Sequence, residues 1–146
     1  MPHAGEWAGP ENVWQTIEHF LPDRIGHGIR SIDDPRLVEV LAARAIPLEI
    51  SPISNVATGA CRSLAEHPFL RLRDAGVIVT LNSDDPPMFG AWITDVYEAA
   101  RRAWGLSDHE LTEISRSAVR ASFADHDVRA EIERGIDDWL AAPVSR

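Results

Sequence analysis

Three short apolar runs constrain this chain more than any other feature: "RIGHGI" (24–29), "IPLEI" (46–50) and "VIVTL" (77–81). Each has strand length and is bounded by glycine, proline or polar turns. The segments between and after them read as helices. "GPENVWQTIEHFLP" carries Pro10 in its first turn and Val13, Trp14, Ile17 and Phe20 along one face. "DDPRLVEVLAARA" has Asp34 as N-cap and Pro35 at its first position, and "HPFLRLRDAG" stops at Gly76. "AWITDVYEAARRAWG", "SDHELTEISRSAVRAS" and "DHDVRAEIERGIDDWLAA" follow, the second with a Ser107/Glu110 capping box. "SPISNVATGA" (51–60) reads as a polar loop. Strands alternating with helices imply an α/β fold with a parallel sheet, and strands this apolar are expected to be covered on both faces.

In parallel sheets of this kind, ligands sit at the carboxyl ends of the strands. That rule selects His27 with Gly28, then Ser51, Ser54 and Asn55, then Asn82, Ser83, Asp84 and Asp85; to these is added "HAGE" (3–6) at the very start of the chain. The opposite turns, "LPD", "ARAI" and "DAG", carry little chemistry. Imidazole and carboxylate are zinc donors, and zinc makes water reactive near neutral pH. His3 and Asp84 are the candidate ligands, Glu6 the candidate proton carrier, His27 the candidate group on the attacking water and Asp85 the candidate substrate contact. Each residue also has a plainer reading. Asp84 and Asp85 can cap the turn before Pro86, and Ser54 and Asn55 can hold their loop by backbone hydrogen bonds. His19, His67, His109 and His126 fall on or beside helices and read as structural or solvated, while Trp7 is placed near the pocket.

Composition narrows the classes. A net charge of −9 argues against a nucleic-acid partner, which needs clustered Lys and Arg. A single cysteine, Cys61, allows no internal disulfide and fits a reducing compartment. No apolar run approaches membrane-spanning length, and "MPHAGEWAGPE" lacks the parts of a signal peptide. A cytoplasmic protein without a membrane partner is expected.

Taken together and in order, "HAGE", "RIGHGI", "SPISNVATGA" and "TLNSDDPPMFG", followed by "SAVRASFAD", resemble the second half of the adenosine deaminase family. The resemblance runs along essentially the whole chain. It implies residues 1–146 as the C-terminal part of a (β/α)8 TIM-type barrel domain, about strands six to eight with their helices plus C-terminal helices. It further implies one zinc ion and hydrolytic deamination of an adenosine-type purine at C6 with release of ammonia. By the same resemblance, His3 and Asp84 match zinc ligands and Glu6 matches the residue that protonates purine N1. His27 matches the histidine that positions and deprotonates the water, Asp85 the carboxylate that hydrogen-bonds N7, and Gly5 a glycine that lines the pocket.

Two departures stand out. The family's His-x-His pair, which supplies two more zinc ligands, has no counterpart in these residues. Ser51 stands where the family often has cysteine, which leaves the choice of purine open. Three strands cannot close a barrel, and the strand that should carry "HAGE" is expected to be cut away. The edges at "RIGHGI" and "VIVTL" are then open to self-association. The expectation is a truncated, inactive piece of a deaminase. The alternative is a non-catalytic half-barrel module that pairs with another chain.

Overall fold

The computed structural model describes residues 1–142; the last four positions of the expected 1–146 domain lie outside the described residues. Four parallel strands run in the order β1-β2-β3-β4: β1 His3–Ala4, β2 Ile25–His27, β3 Leu48–Ile50 and β4 Val79–Leu81. The helices are α1 Pro10–Phe20, α2 Pro35–Ala43, α3 Pro52–Ala57, α4 Phe69–Asp74, α5 Pro86–Phe89, α6 Ile93–Trp104, α7 Asp108–Ala121 and α8 His126–Ala141. Short 3-10 turns occupy Ile29–Asp33 and Leu64–Glu66.

Two expectations about the sheet need correction. The "HAGE" strand is present: His3 pairs with Gly26 and Ala4 with His27. Gly26 N donates to Pro2 O at 2.8 Å, and Gly28 N donates to Ala4 O at 2.9 Å. A two-residue strand is too short to carry a hydrophobic period, so it leaves no pattern in sequence. "RIGHGI" is therefore an interior strand, and the edges of the described sheet are β1 and β4.

Side-chain alternation divides the sheet into two faces. Ala4, Ile25, Leu48, Ile50, Val79 and Leu81 are buried and belong to one core with Val13 and Ile17 of α1, Leu37 and Leu41 of α2, Leu72 of α4 and Ile114 of α7. The register sets His3, Gly26, Glu49 and Thr80 in a row on the other face. His3, Gly26 and Glu49 of that row line a cavity of about 390 Å³, while Thr80 is buried. The expectation of two covered faces fails because these strands have apolar residues in alternate positions only, with Gly26, Glu49 and Thr80 between them.

Local chemistry explains most helix ends. Asp34 Oδ1 accepts from Arg36 N at 3.0 Å and Leu37 N at 3.4 Å, while its Oδ2 accepts from Trp14 Nε1 at 2.9 Å and ties α1 to α2. Ser107 and Glu110 form the reciprocal capping box at the start of α7. Gly76, at φ +86°, follows α4. "SPISNVATGA" is not simply a loop: it contains α3, with Pro52 at its first position. Fixed proline φ suits that position, and the turn-forming residues around it masked the helix. At the far end, α8 has no buried residue and is held to α7 by Arg116, which pairs with Glu133 at 2.6 Å and Asp137 at 2.5 Å.

Candidate active site

The strand ends use backbone conformations that side chains rarely adopt. His27 sits at φ 63° and Asp84 at φ 60°, both in the left-handed region. Strained backbone of this kind costs on the order of 1–2 kcal/mol and concentrates at functional sites. Regular alternation along β2 sends His27 to the helix side with Ile25. The left-handed turn breaks that alternation, and the ring lies edge-on to His3 with centroids 4.9 Å apart.

His3, Gly26, His27, Glu49, Asn82 and Asp84 line the same cavity. Gly26 gives the His3 ring its place: a Cβ on it would meet His3 Cδ2 at 2.9 Å, so the exposed ring would have to swing aside. Glu6 closes one side, its Oε2 3.6 Å from His27 Nε2. Asp84 closes another, its Oδ2 4.0 Å from the same nitrogen. Ser54 Oγ donates to Asp84 Oδ2 at 2.6 Å. Thus His3, Glu6, His27 and Asp84 are brought together from three strand ends.

Gly5 and Asp85 take different places. Gly5 is buried at φ +63°, its N–H donating to Asn12 Oδ1 at 3.0 Å. A Cβ there would strike Val13 Cγ2 at 2.5 Å, so its smallness serves packing of α1 against the strand ends. Asp85 is exposed and caps α5: its Oδ1 accepts from Met88 N at 3.2 Å. Trp7 is 64% exposed and lies outside the cavity lining.

Sequence reasoning underrated Asn55 and His67. Both are buried, and Asn55 has no exposed surface. Asn55 Nδ2 lies 3.2 Å from Glu6 Oε1 and 3.2 Å from His27 Nδ1. His67 Nε2 lies 3.2 Å from Asn55 Oδ1, and Phe69 N donates to His67 Nδ1 at 3.1 Å. The signal that could have found Asn55 is Pro52, whose helix-start position places Asn55 in a first helical turn at a strand's carboxyl end.

Burial sets the charge states of the two buried imidazoles. Desolvation lowers His67 from its ordinary value to about 4. His27 is also lowered, by burial first; Glu6 opposes the shift, His3 adds to it, and Asp84 opposes it.

His3 and Asp84 offer one imidazole and one carboxylate to the cavity, donor types that suit zinc. Among the described residues no three His, Cys, Asp or Glu side chains gather as a group that could hold a metal ion. The donor chemistry fits zinc; the number falls short of the tetrahedral set that zinc takes in proteins. A larger groove, of about 790 Å³, lies between α6, α7 and α8; its lining is mainly apolar and includes none of the strand-end acids and imidazoles, though Ile93 lines both spaces.

The sequence model of the family described as adenosine deaminase matches residues 1–139. The chain belongs to the adenosine deaminase family. Among curated members, aminodeoxyfutalosine deaminase of Streptomyces coelicolor is 47% identical over 142 residues, covering 97% of this chain and 37% of the relative. Adenine deaminase of Rhizobium meliloti is 44% identical over 130 residues, covering 89% and 40%. The crystal structure of adenine deaminase from Arthrobacter aurescens superposes with a TM-score of 0.93 at 32% identity, covering 96% of this chain and 43% of that one. An Arabidopsis family structure complexed with IMP matches with a TM-score of 0.81 at 29% identity, covering 93% and 39%. At 22% identity and a TM-score of 0.80, a Burkholderia ambifaria amidohydrolase with bound Zn shares the fold, covering 97% and 42%. The chain therefore spans about two fifths of the length of its relatives, and its sheet and helices correspond to part of a TIM-type barrel. Among the described residues no helix is long and apolar enough to cross a membrane.

Proposed function

We propose that these residues form the C-terminal part of a purine deaminase barrel, acting on a 6-aminopurine base or nucleoside. The observation that carries this reading is the convergence of Glu6, His27 and Asp84 on one nitrogen, His27 Nε2, at the rim of a family barrel sheet. His3 and Asp84 would hold zinc together with ligands from outside these residues. When bound, the metal supplies Lewis acidity that makes water nucleophilic near neutral pH. His27 orients the attacking water, one proton of which passes to the Glu6 carboxylate. As the oxygen bonds to C6, the C6–N1 double-bond pair moves to N1, where Glu6 delivers that proton. The remaining proton on the oxygen passes to the amino nitrogen, the bond from C6 to that nitrogen breaks, ammonia leaves, and a 6-oxopurine remains. Asp85 keeps one carboxylate oxygen beyond the one that caps α5 and can bond the purine N7 when a proton lies between them.

The edges at β1 and β4 are where a complementing barrel segment would dock, and a reducing cytoplasm suits the free Cys61. The test is ammonia release from adenine, adenosine and aminodeoxyfutalosine. The chain is assayed alone and coexpressed with the N-terminal segment of the Streptomyces coelicolor relative. The chain alone should be inactive, the pair should be active with zinc, and Glu6→Gln should abolish that activity. A stable, zinc-loaded pair that deaminates none of these purines would contradict the reading.

A further inference from the structure

Asn55 and His67 have no part in the chemistry above, yet their hydrogen bonds have only one consistent polarity. The Phe69 backbone N–H can only donate, so His67 Nδ1 must accept. His67 is neutral at neutral pH, because burial lowers it to about 4, so its one proton lies on Nε2. That proton faces Asn55 Oδ1, which makes this amide oxygen the acceptor and turns the NH2 group toward Glu6 and His27. The Glu6 end agrees with that orientation, its Oε1 lying where it accepts from Asn55 Nδ2. Both ends of the network thus point to one amide orientation.

We infer that His67 and Asn55 are positioning residues, a one-way hydrogen-bond relay that holds His27 in its Nε2–H tautomer and fixes Glu6 beside it. Asn55 Nδ2 has two hydrogens, one for Glu6 Oε1 and one for His27 Nδ1. With Nδ1 accepting, the proton of neutral His27 stands on Nε2, which looks between Glu6 Oε2 and Asp84 Oδ2 at 3.6 Å and 4.0 Å. Neither oxygen is within hydrogen-bond distance, so the N–H is presented to an oxygen placed between them. His27 then offers that oxygen a donor, in place of the base that the family resemblance implies, and removal of a proton falls to the Glu6 carboxylate beside it. The relay is well supported sterically: His67 packs on Trp104 with ring centroids 5.8 Å apart, and Trp104 stacks on Phe69 at 4.8 Å.

This inference rests on reading His27 and Glu6 as catalytic, but its test needs neither metal nor substrate. The full chain, labelled with 15N, is studied by long-range 1H–15N spectra at about pH 8. The expected result is the Nε2–H tautomer for both His27 and His67, with a 15N–15N coupling across the hydrogen bond between Asn55 Nδ2 and His27 Nδ1. An Nδ1–H tautomer at His27, or no such coupling, overturns the relay even if the assembled enzyme deaminates purines. Asn55→Asp replaces the donor by an acceptor and should switch His27 to Nδ1–H; a folded variant that keeps Nε2–H overturns the assignment. If Asn55→Asp does not fold, Asn55→Ser should give averaged His27 tautomers, and an unchanged tautomer there also overturns it.

Discussion

The two halves of the site are built on different terms. His27, Asn55 and His67 are buried and bonded to one another through side chains from three separate segments. His3 and Asp85 are exposed, and Asp84 is tied to the chain mainly through Ser54. The buried half is complete within these residues. The open half sits at the two edge strands, His3 on β1 and Asp84 and Asp85 just past β4, with His3 and Asp84 lining the cavity. The contrast separates the two roles proposed above: the groups proposed to handle protons are held by packing within these residues, and those proposed to hold zinc stand on the open side.

Breaking the buried half should cost most. Gly5→Ala puts a side chain on a left-handed backbone at φ +63° and brings its Cβ to 2.5 Å from Val13 Cγ2. Strain and overpacking together should cost about 2–5 kcal/mol, read as a lower urea midpoint with an unchanged m-value. Acid should separate the halves next. His67 has a folded pKa of about 4 against an ordinary 6.5, so the unfolded chain binds the proton more readily. This contribution is fully present above about pH 6.5 and is lost as pH falls toward 4. The loss is roughly 3 kcal/mol. Urea midpoints followed against pH should show that slope in wild type, while His67→Phe should flatten it and leave the smaller part due to His27. On the open side, Asp85→Ala removes only an exposed cap of a four-residue helix. It should shift stability by about 0.5–1 kcal/mol, while weakening purine binding in the coexpressed pair.

The same contrast governs what could be read from sequence. Pro10, Asp34 and the Ser107/Glu110 pair announce their helices because capping is local. His27 and Asp84 were legible through the strand-end rule, which needs only strand positions and the polar residues that follow them, and His3 and Glu6 through the motif "HAGE". β1 escaped notice because two residues show no period, and its backbone partners lie more than twenty positions away. Asn55 and His67 read as loop and helix-end residues because the partners that tie them to the site are remote in the chain: Glu6, His27 and each other. Local patterns expose the elements; a buried relay between elements appears only when they pack.

Zinc titration of the metal-free chain, followed in the same histidine and asparagine side-chain spectra, tests the separation of the two halves most directly. The account predicts weak, saturable shifts at His3, further weakened in Asp84→Asn, with the Asn55 and His67 signals unmoved. Zinc that leaves His3 unmoved, or that binds wild type and Asp84→Asn with equal affinity, would contradict it.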